Sequence, residues 1–222
     1  MQFSGNITFG LYSHLIIHCQ LSIYSKMSNV ELSSKEYAVI ENADFLLTKN
    51  AAIQKLQKAF GEIADTYRKI TESGMDVWQL HCNTHPKIAK GEQYEGLPYL
   101  MLDYPRSFSD TDTFAVRSFF WWGNYFSISL LLTGKSQERL VPQLLTNPIL
   151  ADWHVDTAAT PWQHNWKEET SPKLALLSQQ NYVPKDFFKL SKQMPLSKWQ
   201  DMEQFFVSSF RQLWTAVNFP NV

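Results

Sequence analysis

At 222 residues, with a formal net charge of −1, 44% hydrophobic and 18% charged, the chain has the length of one domain with a full core. That composition excludes wholesale disorder and fibrous repeats, and so balanced a charge offers no global pull on nucleic-acid phosphates or an anionic membrane, so neither is expected as a partner. Two cysteines outside any CxxC pair exclude a disulfide scaffold, while 8 Trp, 9 Tyr and 15 Phe make aromatic packing the chain's main resource.

Residues 1–26 carry a single charge, Lys26. Their apolar run from Leu11 to Tyr24 is broken by His14, His18, Cys19 and Gln20, which leaves it too short and too polar to span a bilayer as a helix. No Lys or Arg precedes it, as an export signal would require, and His18 is too bulky for a lipoprotein cleavage before Cys19. The expectation is an upstream extension or disordered tail over 1–26, with Met27 a sufficient start. One α+β domain then covers 27–222, in the cytoplasm with reduced thiols.

Ser33 or Ser34 opens a helix that sets Tyr37, Ile40 and Asp44 on one face, and the phase breaks near Thr48-Lys49-Asn50. Ile53, Leu56, Phe60, Ile63, Tyr67 and Ile70 then recur at spacings of three and four. This is the clearest helix in the chain, read as one face against a core because the stripe is too short for a coiled coil. Gly74 ends it.

Leu97 to Tyr104 is apolar at successive positions, as in a strand covered on both sides, with Pro98 near an edge. Two β-rich runs, 114–122 and 125–133, flank Gly123-Asn124, which reads as a two-residue hairpin turn. That turn sets Trp122 opposite Tyr125, Trp121 opposite Phe126, Phe119 opposite Ile128 and Arg117 opposite Leu130. The core face then carries Phe119, Trp121, Phe126, Ile128, Leu130 and Leu132. The second face carries Val116, Ser118, Phe120, Trp122, Tyr125, Ser127, Ser129 and Leu131. Small hydroxyls beneath aromatic rings suit either a closely packed helix, the favoured expectation, or a ligand pocket. An Arg inside a strand needs a carboxylate or an anionic ligand. Asp103 is the expected partner of Arg117, and an anion site of Arg106 with Arg117 is the alternative.

Beyond the hairpin, a short helix around Gln137–Leu145 is interrupted at Pro142, and 147–172 is irregular. The lysine excess between Lys167 and Lys198 reads as a solvated face. A capping box of Ser197 with Gln200 opens the last helix, whose stripe is Trp199, Met202, Phe206, Phe210, Leu213 and Val217, widened by Phe205 and Trp214.

Phosphate-binding glycine loops, GxSxG elbows, HExxH helices and EF-hand loops are absent from the sequence. Cys82 beside His81 reads as a small buried hydrophobe. Histidines remain. His154-Val155-Asp156 projects an imidazole and a carboxylate to one side of an extended segment. The HxD triplet resembles the first half of the iron site of 2-oxoglutarate-type oxygenases, but no histidine follows His164 to complete that pattern. A different divalent-metal site drawing on His81, His85, His154, Asp156 and His164 is the one cofactor reading available. Pro86 biases His85 away from helix, so loop histidines packed on nearby tryptophans are the expectation, with no cofactor.

The run from Gly91 to Tyr99, with Asp103-Tyr104-Pro105-Arg106 and the segment Phe119 to Asn124, resembles a family of uncharacterised bacterial proteins. The likeness covers the middle fifth to quarter of the chain. It implies no activity, only a bacterial cytosolic protein. The sequence therefore points to an antiparallel sheet built on the Gly123-Asn124 hairpin and packed by the 51–72 and 197–218 helices. Its expected role is binding a small molecule or a protein segment in an aromatic-lined pocket or groove around Arg106, Arg117, Trp122, Tyr125 and Ser127. A metal-dependent enzyme is the alternative, and oligomeric state and ligand identity are not legible.

Overall fold

The computed structural model describes residues 30–72, 85–177, 182–183 and 185–218. The expectations for residues 1–26, Met27, Cys19, Gly74, His81 and Cys82 lie outside the described residues. The chain divides into two compact units, Met1–Lys49 and Asn50–Val222.

The first helix, α1 (Ser34–Glu41), starts on a full capping box: Ser33 N donates to Glu36 Oε2 at 2.7 Å, and Glu36 N donates to Ser33 Oγ at 3.3 Å. Asn42 then ends one helix and begins the next, its Oδ1 accepting from Phe45 N at 3.0 Å. The second, α2 (Ala43–Glu72), runs straight through Thr48-Lys49-Asn50, so the expected interruption there is absent. No Gly or Pro stands at those positions, and Thr, Lys and Asn each cost a helix only tenths of a kcal/mol. What changes there is burial rather than backbone. Tyr37, Val39, Ile40, Phe45, Leu46 and Leu47 are all exposed, and buried side chains begin at Ile53.

Six antiparallel strands form one sheet, as the α+β reading requires: β1 (Lys87–Tyr94), β2 (Leu97–Phe108), β3 (Thr113–Trp121), β4 (Tyr125–Thr133), β5 (His154–Val155) and β6 (Phe188–Pro195). Their order is β1-β2-β3-β4-β6-β5. One face carries the main core. Leu100, Leu102, Phe114, Val116, Phe120, Phe126, Ile128, Leu130, Leu132, Leu190 and Met194 meet the α2 stripe from Ile53 to Ile70 in a single buried cluster. Two later helices, α3 (Gly134–Leu144) and α4 (Met202–Asn218), complete it with Leu140, Leu144, Phe206, Phe210 and Leu213.

The hairpin register differs from the expected one by a single residue. Trp121 faces Tyr125, Phe120 faces Phe126, Phe119 faces Ser127 and Arg117 faces Ser129. The connection is three residues rather than two: Asn124 N donates to Trp121 O at 3.1 Å, and Gly123 takes φ +71° at the third position of that turn. Since side chains alternate with period two, the extra residue flips all of β3 relative to β4. Val116, Ser118 and Phe120 therefore go to the core, whereas Phe119 and Trp121 go to the other face. Ser118 is tolerated there because its hydroxyl meets that of Tyr67 at 3.0 Å, and Tyr67 donates onward to Phe206 O at 3.2 Å. The Tyr67 ring stacks on Phe210 with centroids 3.8 Å apart, and burial pushes its hydroxyl pKa above the usual tyrosine value.

Other local expectations shift. Pro142 sits inside α3 without ending it, in the last turn, so little helix remains beyond it to be kinked. Ser197 and Gln200 lie in a 3₁₀ stretch (Leu196–Asp201) that precedes α4, so they form no capping box. Both of the long helices pack on the core face, and among the described residues no α-helix covers the second face. Among the described residues, no helix is long and apolar enough to cross a membrane.

Candidate functional site

The second face is crossed by a polar row that the strand register dictates. Asp103 lies opposite Arg117, Arg117 opposite Ser129, Ser129 opposite Ser191, and Ser191 opposite His154. Five strands thus contribute one polar residue each to a single line across the sheet. All but Arg117 are buried, and Arg117 is nearly so. On one side of this row stand Phe119 and Trp121, with Tyr94 at the end of β1; on the other stand Lys189 and, beyond β5, Asp156.

Buried charge is closed by pairing. Arg117 grips Asp103 at two points, Nε to Oδ1 and Nη2 to Oδ2, each 2.7 Å. This is the ion pair that the sequence suggests, and its two-point geometry is the strong form of such a contact. Lys189 is 2% exposed, contrary to the solvated face expected for the lysines of this stretch. Its Nζ lies 3.0 Å from Asp156 Oδ2 and donates to Gln163 O. Burial lowers the Lys189 pKa, Asp156 opposes that shift, and Arg117 adds to it.

An irregular segment, 162–166, lies over the row as a strap, tied down by side chains from four strands. Tyr94 of β1 accepts from His164 N at 2.6 Å and from Asn165 N at 3.0 Å. Arg117 of β3 meets His164 Nε2 through Nη1 at 3.0 Å, and Phe119 lies under the His164 ring at 4.6 Å. Tyr125 of β4 donates to His164 O at 2.6 Å, and Gln193 of β6 donates to Trp166 O at 2.9 Å. A segment between Pro161 and Pro172 has few backbone partners of its own, so sheet side chains supply the hydrogen bonds that a helix would have made internally. This is why no helix is needed over Ser127 and Ser129, which are nevertheless buried.

His164 is the clasp of the strap. Burial, followed by the positive charges of Lys189 and Arg117, brings its pKa down to about 2, so it stays neutral and accepts from Arg117. The unfolded chain titrates near the ordinary value of about 6.5. Below that pH the unfolded state takes up a proton that the folded state refuses, so stability falls as pH falls. Between pH 7 and pH 5 this one group accounts for a loss of about 2 kcal/mol. Urea midpoints at the two pH values should therefore lie measurably closer together in His164→Gln than in the wild type.

Next to the strap the surface opens into two clefts. One, of about 670 Å³, lies between Tyr125 and Gln193 of the sheet and the 166–170 segment. The other, of about 330 Å³, lies between Asp156–Ala159 and the strap. Trp166, Lys167 and Thr170 line both. Two residues of the smaller cleft carry buried polar atoms without a hydrogen-bond partner, Trp166 Nε1 and Ser171 Oγ, while Asp156 Oδ2 is held by Lys189; Ser191 Oγ and His154 Nδ1, which line neither cleft, are likewise unpartnered. Burial, with Tyr94 and Asp156 adding to it, pushes the Tyr125 hydroxyl pKa up, so it remains a proton donor.

Of the residues singled out in the sequence, Arg117, Tyr125, Ser127, His154, Asp156 and His164 share this face. Trp122 does not; it sits in the hairpin turn, packed against the core cluster with its ring 6.0 Å from Phe120. Arg106 lies opposite Ala115, two register positions from Arg117, and its Nε reaches His85 O at 3.4 Å. His85 is exposed, two residues before β1. His154 packs on Trp166 with centroids 5.5 Å apart, while His164 is engaged by Arg117. Among the described residues no three His, Cys, Asp or Glu side chains are placed to hold one metal ion.

Tyr94, Lys189, Trp166 and Gln193 escape the sequence reading. Lys189 alone carries a usable signal, a single cation within the apolar run Phe187-Phe188-Lys189-Leu190. Comparison with known proteins finds no family model that matches the chain, and no significantly similar curated protein or solved structure.

Proposed function

We propose that the protein is a binding domain for a small molecule, seated in the paired clefts where the strap leaves the sheet. The observation that carries this reading is a pair of unpartnered, buried polar atoms on residues that line an open cleft. Trp166 and Ser171 line the smaller cleft, and each brings such an atom, Nε1 and Oγ. Proteins pair nearly all of their buried polar groups, so two exceptions close together suit a site that a ligand or ordered water completes. The cleft volumes fall in the range of about 300–1,000 Å³ common to small-molecule sites. The strap builds such a site economically. It is fixed by rigid strands beneath, while residues 167–170 just beyond it are exposed.

A melting-temperature screen against a metabolite library tests the proposal. A bound ligand stabilises by mass action, by about 2.7 kcal/mol at a hundredfold excess over its dissociation constant. A hit whose shift disappears in Lys167→Ala, at the shared rim of both clefts, supports the reading. A hit that is indifferent to Lys167 and Gln193 places the site elsewhere.

A further inference from the structure

We propose that α1 and the start of α2 form a self-association surface, occupied by the same surface of a second copy of the chain. The inference goes beyond the small-molecule reading and does not depend on it. Its first ground is where apolar surface is left in water. Among the described residues fourteen large apolar side chains are exposed, and eight of them fall between residues 30 and 47. Exposed apolar side chains scattered singly need no explanation, but this density along one short stretch marks a surface that something covers.

The second ground is that the helices there have little to hold them alone. α1 has eight residues and buries none of them. A helix of two turns is marginal in water even when well capped, and in proteins it owes its stability to packing on a neighbour. The apolar positions also cover more than one side. Tyr37 and Ile40 lie three apart on α1 with Val39 beside them, all exposed. Phe45, Leu46 and Leu47 are consecutive at the start of α2 and sweep about 200° of its circumference. A helix apolar on most sides belongs among several neighbours.

The third ground selects the occupant. Over the same stretch Glu31, Glu36, Glu41 and Asp44 outnumber Lys35 and Lys49, so an anionic membrane surface is repelled rather than drawn. A second copy brings uncharged apolar side chains to meet these, and a two-fold axis lets one patch serve on both sides of the interface. Two copies bring together four apolar helical segments, enough to cover each on more than one side. The size fits as well. The eight side chains offer roughly 800 Å² per copy, which is what a standard interface takes from each partner.

Sedimentation of the full chain at about 1–100 µM, the weak end of what interfaces of this size reach, tests the proposal. The mass should be twice the 25.8 kDa of one chain. Ile40→Glu and Leu47→Glu alter residues that are 67% and 65% exposed in a single copy, and each should weaken association at least tenfold. Leu176→Glu, at a 72% exposed position in the other unit, should leave the mass unchanged. All eight Trp lie beyond residue 50, so unchanged tryptophan emission shows that a monomeric variant still folds its larger unit. A wild type that stays monomeric throughout the range overturns the proposal. Alkylation of Cys19 that speeds up in Leu47→Glu would then give the face to residues 1–29 of the same chain, and binding to phosphatidylcholine vesicles would give it to a membrane. A dimer indifferent to both glutamates overturns the assignment to α1 and α2.

Discussion

Lys189→Met will destabilise the protein by about 3–5 kcal/mol, the usual cost of removing one partner from a buried ion pair. Methionine fills nearly the same volume as the lysine stem, so the loss is electrostatic rather than a cavity effect. It leaves the Asp156 carboxylate, 3% exposed, without its cation, and it frees Gln163 O at the root of the strap. The second variant of the cycle, Asp156→Asn, should cost less. An amide can still accept from Ala158 N, now 2.8 Å from Asp156 Oδ1, and the stranded lysine can shed its proton because burial already lowers its pKa. Combining the two should restore most of the loss, since neither charge then remains. Chemical denaturation of the four proteins measures the coupling. Additive losses in the double variant would show that Lys189 and Asp156 act independently.

A loss of similar size is expected at Arg117. Arg117→Met strands Asp103, also 3% exposed, and removes the donor that holds His164 Nε2, so about 3–5 kcal/mol should disappear. Arg117→Lys keeps the charge but cannot reproduce two parallel contacts to a carboxylate, and its stability should fall between wild type and Arg117→Met. The two substitutions also differ in what they loosen. Loss of Arg117 releases the strap as well as the ion pair, so limited proteolysis should cut between residues 157 and 170 faster in Arg117→Met than in a core variant of equal stability, such as Leu213→Ala. Equal cutting in both would separate Arg117 from the strap.

The elements with a strong internal period were legible in the sequence. The stripe from Ile53 to Ile70, the one from Met202 to Val217 and the alternation of Phe126, Ile128, Leu130 and Leu132 each state which face is buried, and each is buried so, whereas Trp199, read as the head of the last stripe, lies in the 3₁₀ stretch before α4 and is 39% exposed. Register was not legible, because it depends on whether Trp122 belongs to the strand or to the turn. Gly123 at φ +71° suits several hairpin geometries, and one residue decides the facing of all of β3. The site was half legible. Arg117 announced a buried ion pair, because an arginine between strand hydrophobes has few other ways to exist. His154 and Asp156 announced a shared direction, but their partners were set by β6 lying beside β5, a pairing across more than thirty residues that no local pattern encodes. The strap could not be read at all. Its conformation is written in Tyr94, Arg117, Tyr125, Lys189 and Gln193, five side chains brought together only by the finished sheet.

The central claim is that the second sheet face and its strap, rather than the helical face, hold the ligand. Amide hydrogen exchange with and without a saturating small molecule found by the melting screen tests it most directly. Ligand should slow exchange in peptides spanning residues 156–171 and leave those from α4, residues 202–218, unchanged. Protection confined to α1 or to the α2–α4 face, with no change over 156–171, would contradict it.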